Sequence, residues 1–299
     1  MSEPRSYYGD PVLTEPVWTW EIPVYFFAGG LAGASAGLGF AADAKGNEEL
    51  ARRAWAIALG GLVTSPALLI SDLGRPARFL NMLRLFKVTS PMSVGSWLLS
   101  AAGAASAVSA ANSLLGLFPR LARPTKPIAA ALGMPLSTYT ATLISNTAVP
   151  VWHEARRELP FLFGAGAAAS AGAAAAMTTP PRDAGPARRL AVGGAAVELA
   201  AVQLMEHRLG PLADAYHAKW PHRLSRLGNV LTASGAALLA TAGRRRAPAV
   251  VGGALTLAGA LSERWAVFQA GFASAGDPKY TVGPQRDRLE ERKERAAVR

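Results

Sequence analysis

Three hydrogen-bonding side chains lie at helical spacing inside an otherwise apolar segment. Tyr139, Thr142 and Asn146 are three and four residues apart, which places them on one face of a helix. Polar groups at membrane depth are costly, so such a stripe often serves a function. It could bind the polar head group of a ligand, or it could form hydrogen bonds between neighbouring helices. The sequence leaves both interpretations open.

Three charged residues interrupt two further apolar segments. Glu198 lies in the middle of one segment, and Glu263 and Arg264 lie side by side in another. A carboxyl group in an apolar interior must be protonated, hydrated or paired with a cation. We favour an ion pair between helices that joins Arg264 to one of the two acids. The alternative is a proton path, which would make the chain part of a proton- or ion-translocating subunit.

The histidines lie at predicted helix ends or in loops, and the chain has no cysteine. His153, His207, His217 and His222 therefore provide no pair of axial ligands inside the membrane, so we expect no haem. Without cysteine, the chain has no ligands for a thiolate-bound iron–sulfur cluster. His217 and His222 could bind a metal ion, but no carboxylate or cysteine motif accompanies them, so we interpret them as solvated loop residues.

The charged residues are clustered, and long apolar windows separate the clusters. The chain has 299 residues, of which 51% are hydrophobic and only 17% are charged. A membrane-spanning helix needs about 20 mostly apolar residues. Eight windows approach or exceed that length: residues 22–42, 54–71, 88–119, 127–152, 159–181, 190–205, 227–243 and 247–276. We predict an all-α polytopic membrane protein with eight transmembrane helices in bundles, because soluble helices would be amphipathic.

The predicted spans divide the chain into three parts and two membrane faces. Residues 1–21 are an N-terminal extramembrane segment, residues 22–276 the transmembrane domain, and residues 277–299 a charged C-terminal tail. Both termini lie on one side, called face A, together with the longer connections. The opposite side, face B, carries four short turns: residues 43–53, 120–126, 182–189 and 244–246.

The charge distribution says little about orientation. Without the C-terminal tail, Lys and Arg are nearly balanced between the two faces, and with the tail face A has more of them. Their higher density in the short turns of face B favours a cytoplasmic face B without determining it. No basic stretch precedes the first apolar window, so we expect the first helix to be retained and not removed as a signal peptide.

Residues 72–93, between the second and third predicted spans, form an amphipathic docking loop. Charged and apolar side chains alternate in it: Asp72, Arg75, Arg78, Phe79, Leu80 and Arg84. This pattern is typical of an element at the membrane surface that contacts lipid or protein. We expect partner contacts from four residues: Arg78, Phe79, Arg84 and His153. Such surface clusters account for the formal charge of +11, so we predict no binding to nucleic acid.

Three stretches form recognisable motifs. The most specific is DLGRPARFLNM at residues 72–82, followed by SPMSVGSW at residues 90–97. The second is WTWE at residues 18–21, which leads into YFFAGGLAG at residues 25–33. The third is YTATLISNTAVPVW at residues 139–152. Together they resemble the NrfD/PsrC family, the membrane subunits of polysulfide reductase and related respiratory complexes. The resemblance covers about residues 7–180.

This resemblance implies a haem-free eight-helix subunit that binds menaquinone or ubiquinone in the cytoplasmic membrane of a bacterium or archaeon. It implies two partners, a ferredoxin-like iron–sulfur subunit and a molybdenum or tungsten pterin catalytic subunit, as in polysulfide reductase or formate dehydrogenase. Electrons would pass between the nearest cluster and the quinone, so the chain would not be catalytic alone. Two alternatives stay open, an ion-translocating subunit and a purely structural anchor.

The resemblance and the polar stripe together predict the residues around the quinone. Tyr139 corresponds to a tyrosine thought to donate a hydrogen bond to a quinone carbonyl. The full expected pocket has eight residues: Trp20, Glu21, Tyr25, Asp72, Arg75, Tyr139, Thr142 and Asn146. Some relatives have a histidine near the start of the first helix, where this chain has none. We expect Glu21 to exchange protons in its place, since carboxyl and phenol groups both serve as general acids.

Overall fold

The computed structural model describes residues 13–75 and 77–282, and this part of the chain contains helices and no strands. It forms ten α-helices: α1 (Glu21–Ala44), α2 (Glu48–Asp72), α3 (Arg78–Met82), α4 (Pro91–Leu115), α5 (Pro119–Ser145), α6 (Pro150–Glu154), α7 (Leu159–Thr178), α8 (Gly185–Leu209), α9 (Lys219–Thr241) and α10 (Arg246–Gly276). Most of the predicted segments 1–21 and 277–299, as well as Pro76 of the first motif, lie outside the described residues. Those two segments stay predictions.

Local sequence signals account for several helix ends. The Ser90 hydroxyl caps α4 by accepting a hydrogen bond of 3.4 Å from the Ser93 N–H, and Pro91 follows in the first turn. The Asn47 side chain caps α2 in the same way. Gly116 ends α4 in the left-handed conformation, with φ at 70°. These ends therefore follow from residues near them in sequence.

Eight of the helices are between 20 and 31 residues long: α1, α2, α4, α5, α7, α8, α9 and α10. Within the described part of the chain, five are long and apolar enough to cross a membrane: α1, α2, α4, α5 and α7. The other three, α8, α9 and α10, contain no window of the length needed that is apolar enough and has so few charges. The chain is thus an all-α, multipass membrane protein, while the prediction of eight spans is not confirmed.

One of the predicted face-B turns is wrong. Residues 120–126 form the first two turns of α5, which begins at Pro119 and continues through the apolar window. Proline is favourable in the first turn of a helix, and this allows α5 to start before the window does. Lys126 then reaches Asp43 at the end of α1, with 3.0 Å between the amine and the carboxylate. The charges of this segment therefore lie on a helix and not in a turn.

The helices pack around α7, which contacts α1, α2, α5, α8 and α10. Successive long helices run back and forth, so α1, α4, α7 and α9 begin at face A. Three exposed tryptophans lie near the face-A ends of different helices: Trp20, Trp97 and Trp220. Tryptophan is enriched where membrane meets water. These residues agree with a membrane boundary at face A.

Glycines permit the closest helix crossings. Gly33 on α1 and Gly133 on α5 face each other, and a Cβ at either position would overlap the carbonyl oxygen of the other. On α7 and α8, Gly172 and Gly194 approach the opposite backbone in the same way. Small residues are the usual means by which helices associate in lipid, where no hydrophobic force acts between them.

We predict that Gly33→Ala destabilises the protein, because its methyl group would meet the backbone of Gly133. Overpacking of this kind costs about 1–3 kcal/mol. Gly37→Ala is the matched control, since nothing lies within 4 Å of a Cβ at that position. Thermal unfolding in detergent should show a lower midpoint for Gly33→Ala and an unchanged or higher one for Gly37→Ala. Equal midpoints would contradict a tight crossing.

Candidate functional site

A cavity of about 250 Å³ opens at the face-A ends of α1, α2, α4 and α5. Most of its wall is apolar: Val17, Trp18, Ile22, Phe26, Leu69, Leu73, Met82, Met92, Gly95 and Leu143. Four side chains add polar groups: Tyr25, Asp72, Ser96 and Tyr139. Small-molecule sites typically combine apolar walls with a few polar groups in about 300–1,000 Å³. The cavity volume lies just below that range, so the cavity suits a ring better than a long chain.

The phenol of Tyr139 is held against the first turn of α4. Its hydroxyl donates a hydrogen bond of 2.6 Å to the Pro91 carbonyl oxygen. Gly95 makes room for the ring, because a Cβ there would overlap the phenol. A hydroxyl has only one hydrogen, so Tyr139 offers the cavity an acceptor while this bond is intact. It could donate to a ligand only by leaving Pro91.

Tyr25 presents the second phenol, from the second turn of α1. The side chain is only 3% exposed, and within residues 13–75 and 77–282 its hydroxyl has no hydrogen-bond partner. Buried polar groups in proteins are nearly always hydrogen-bonded. An unused phenol donor in the wall of an apolar cavity is therefore suited to bind a ligand carbonyl.

Asp72 connects the cavity to the surface through Thr19. The Asp72 Oδ1 atom accepts hydrogen bonds from the Thr19 hydroxyl at 3.1 Å and from the Thr19 N–H at 3.4 Å. The same hydroxyl also contacts the Glu21 carboxylate. One hydroxyl hydrogen can serve only one of the two carboxylates at a time. These three residues form a short polar chain from the exposed Thr19 to the cavity wall.

Five of the eight expected pocket residues lie outside the cavity wall: Trp20, Glu21, Arg75, Thr142 and Asn146. All are exposed except Glu21, which is half-buried. Asn146 ends α5, and its side-chain amide donates to the Thr142 carbonyl oxygen at 2.9 Å. The structure thus brings together Tyr25, Asp72 and Tyr139, and it joins Glu21 to them through Thr19.

Trp18 lines the cavity and was not among the expected pocket residues. Its ring stacks on the buried Trp152, with 5.8 Å between the ring centroids and an interplanar angle of 24°. The Trp152 indole N–H in turn donates to the Val267 carbonyl oxygen on α10 at 2.8 Å. Met82 and Met92 also belong to the wall. The sequence signal for all three was their place inside the motifs of residues 18–21, 72–82 and 90–97.

The expected docking residues lie at the face-A surface. Arg78, Arg84 and His153 are exposed, and Phe79 is half-buried. The amphipathic loop contains one short helix, α3, in which no residue is buried. Several large apolar side chains in this loop are exposed: Leu80, Leu85, Phe86 and Val88. A surface of this composition suits contact with lipid or with another protein.

Glu198, Glu263 and Arg264 are each about 2% exposed and meet in the interior of the bundle. The Arg264 Nη1 atom lies 3.6 Å from the Glu198 carboxylate, so an ion pair joins α8 to α10. The Arg264 Nη2 atom donates to the Phe163 carbonyl oxygen at 2.9 Å, and the guanidinium lies 4.1 Å from the centre of the Phe163 ring. Gly166 on α7 leaves space for this pair, since a Cβ there would overlap it.

These features define an all-helical, multipass membrane protein with a small, partly polar cavity near one membrane face. Residues 11–205, about two-thirds of the chain, match the family model described as polysulphide reductase, NrfD. The chain belongs to the NrfD family, and the expected relationship is confirmed. Proteins of this family are membrane subunits of quinone-interacting oxidoreductase complexes. The match contains every residue of the cavity and ends within α8. No curated protein matches the chain.

We predict that Arg264→Met destabilises the protein strongly, because it leaves two buried carboxyl groups without a cation. Removing one partner of a buried ion pair lowers the free energy of unfolding by about 3–5 kcal/mol. Glu198→Gln should cost less, and the double variant should recover part of the loss caused by Arg264→Met. The measurement is thermal unfolding of the four proteins in detergent. Strictly additive effects would contradict the coupling of these residues.

Proposed function

We propose that this chain is the quinone-reactive anchor subunit of a respiratory oxidoreductase. In this role it exchanges electrons between a ferredoxin-like iron–sulfur subunit and a membrane quinone, either menaquinone or ubiquinone. The observation that supports this proposal most strongly is the face-A cavity, where two phenols and a carboxylate meet within apolar walls. A quinone ring has two apolar faces and carbonyl oxygens that accept hydrogen bonds. The cavity offers surfaces suited to both.

Tyr25 is the phenol best placed to donate to a quinone carbonyl. Its hydroxyl hydrogen has no partner in the described part of the chain, whereas that of Tyr139 is engaged by Pro91. Tyr139 then contributes mainly by shaping the cavity and joining α5 to α4. This differs from the expectation that Tyr139 itself donates to the carbonyl, and the difference rests on the single hydrogen of a phenol.

Reduction of a quinone to the quinol takes up two electrons and two protons. The electrons would come from the partner, because the chain has no cysteine to hold a cluster. For the protons, Glu21 can exchange with water, the Thr19 hydroxyl can relay, and Asp72 can deliver at the cavity wall. Glu21 thus acts through Thr19 and not by contact with the quinone. General acid–base groups of this kind contribute about 10²–10⁴-fold to a rate.

The docking surface lies on the same face as the cavity. Arg78 and Arg84 are exposed in the amphipathic loop, which supplies Met82 and Met92 to the cavity wall, and His153 is exposed on the same face. A cluster-bearing partner bound to this face would lie close to the quinone. A molybdenum or tungsten pterin subunit, of the polysulfide reductase or formate dehydrogenase type, would complete the complex in a bacterial or archaeal cytoplasmic membrane.

A proton- or ion-translocating role is the second candidate. The buried cluster favours it, since Glu198 and Glu263 share one guanidinium and one carboxyl group is left over. In vesicles, loss of proton movement by Glu263→Gln with intact quinone reduction would support translocation. The third alternative, a purely structural anchor, requires that no cavity residue affects quinone reduction.

We predict that Tyr25→Phe weakens the binding of decylubiquinone or menadione roughly tenfold to hundredfold, because a lost buried hydrogen bond costs about 1–3 kcal/mol. Trp18 lies in the cavity wall, so quenching of tryptophan fluorescence in detergent is the readout. Tyr139→Phe should instead lower the midpoint of thermal unfolding, because the hydrogen bond to the Pro91 carbonyl oxygen is lost. Tyr216→Phe, at a buried tyrosine outside the cavity, is the control. Unchanged affinity in Tyr25→Phe would contradict the proposed contact.

We predict that Thr19→Val slows quinone reduction more than it weakens quinone binding, because it interrupts only the contact between Glu21 and Asp72. The expected fall in kcat is roughly hundredfold, at the lower end of general acid–base effects. The assay is steady-state turnover of the complex purified with its partners. Thr14→Val, at an exposed threonine on the same segment, is the control. An unchanged kcat would exclude this proton route.

A further inference from the structure

A second cavity, of about 560 Å³, lies at the opposite membrane face between the start of α8 and the end of α9. Three arginines line it: Arg188, Arg189 and Arg244. The rest of its wall is small or apolar and includes Val192, Leu239 and Ala240. A strongly basic rim thus lies directly above an apolar floor. The proposed quinone site uses no residue of this cavity.

The three arginines have no acidic partner within residues 13–75 and 77–282. Arg188 is held in place by backbone, since its Nη1 atom donates to the carbonyl oxygens of Pro181 at 2.9 Å and Gly243 at 3.2 Å. Asp183, an acid in the same connection, pairs with Arg182 at 3.2 Å. The positive charge around the cavity is therefore not neutralised by these neighbours.

Two of the guanidinium groups converge at the N-terminus of α8. The point where a Cβ of Gly185 would lie is 3.8 Å from Arg189 Nη1 and 4.0 Å from Arg188 Nη2. No side chain caps the first turn of α8, so its backbone N–H groups add positive potential at the same place. Like charges held this close repel each other, and a bound anion would relieve the repulsion.

We propose that this cavity binds the phosphate head group of an anionic phospholipid. The arginines would hold the phosphate, and an acyl chain would lie along the apolar floor of Val192, Leu239 and Ala240. Beyond the cavity, Val197 on α8 and Val230 on α9 are both more than half exposed, so apolar surface continues along both helices. Basic pockets between membrane helices are a known form of lipid head-group site. A free phosphate ion would make no use of the apolar floor.

The test compares the wild-type protein with a variant, Arg189→Gln/Arg244→Gln, in nanodiscs that contain palmitoyl-oleoyl phosphatidylglycerol and phosphatidylcholine. Native mass spectrometry counts the lipids that each protein retains. The wild type should retain phosphatidylglycerol in preference to phosphatidylcholine. In the double variant this preference should be roughly tenfold to thirtyfold weaker, because each basic residue usually contributes a factor of about five.

The matched control is Arg182→Gln/Arg245→Gln, which removes the same charge from exposed positions of the same two connections, outside the cavity. It should keep the preference for phosphatidylglycerol. An equal loss in the control would show that general surface charge is responsible and would overturn the site. An unchanged preference in Arg189→Gln/Arg244→Gln would overturn it as well.

A third arm separates lipid from free phosphate. Inorganic phosphate at millimolar concentration should neither displace phosphatidylglycerol nor raise the thermal midpoint in detergent, whereas added phosphatidylglycerol should raise it. Equal stabilisation by phosphate would overturn the lipid assignment. Should the double variant fail to fold, Arg189→Gln alone replaces it, since Arg189 is exposed and has no protein partner within the described residues. A fall of several-fold is then expected, and no fall would overturn the proposal.

Discussion

The close crossing of α1 and α5 at Gly33 and Gly133 is the constraint on which the candidate site depends. Tyr25 lies eight residues before Gly33, and Tyr139 lies six residues after Gly133. At about 1.5 Å of rise per residue, two antiparallel helices that touch at the glycines bring both tyrosines to the same end of the bundle. The meeting of the two phenols is therefore set by a backbone contact two turns away. Any side chain at the crossing would separate them.

Three polar clusters share one arrangement: the face-A cavity, the buried group of Glu198, Glu263 and Arg264, and the face-B cavity with its arginines. In each of them, a backbone carbonyl oxygen satisfies one donor: Pro91 for Tyr139, Phe163 for Arg264, and Gly243 for Arg188. These satisfied donors tie helices or connections to one another. Each cluster also contains a polar group that the described part of the chain leaves without a full partner. An unpaired polar group is costly where it is buried, and exposed like charges repel each other, so the remaining groups are the ones expected to meet a ligand or a proton.

Much of the fold could be predicted from the sequence. The first apolar window, residues 22–42, corresponds to α1 (Glu21–Ala44), and the last, residues 247–276, corresponds to α10 (Arg246–Gly276). Hydropathy is a property of each segment alone, which is why it locates helices well. The turn expected at residues 120–126 was wrong because charge was taken as the end of a helix. Because proline is favourable in the first turn of a helix, α5 could begin at Pro119, before the apolar window of residues 127–152.

The candidate site was predicted less completely. Tyr25, Asp72 and Tyr139 belong to motifs and line the cavity. Residue spacing predicted that Thr142 and Asn146 share a helical face with Tyr139, but both are exposed. Spacing fixes the angle between side chains on one helix. It does not fix how that helix is rotated against its neighbours when every face is apolar. That rotation depends on where small residues allow contact.

The sequence by itself determined that the chain is an all-helical membrane protein of the NrfD family without cysteine ligands for a metal cluster. These properties depend on composition, on local hydropathy and on contiguous motifs. Only the tertiary structure decided which phenol keeps an unpaired hydrogen among the described residues, that Thr19 joins Glu21 to Asp72, and that arginines of two connections surround one cavity. Each of these facts is a contact between segments far apart in sequence, and helix packing alone sets such contacts.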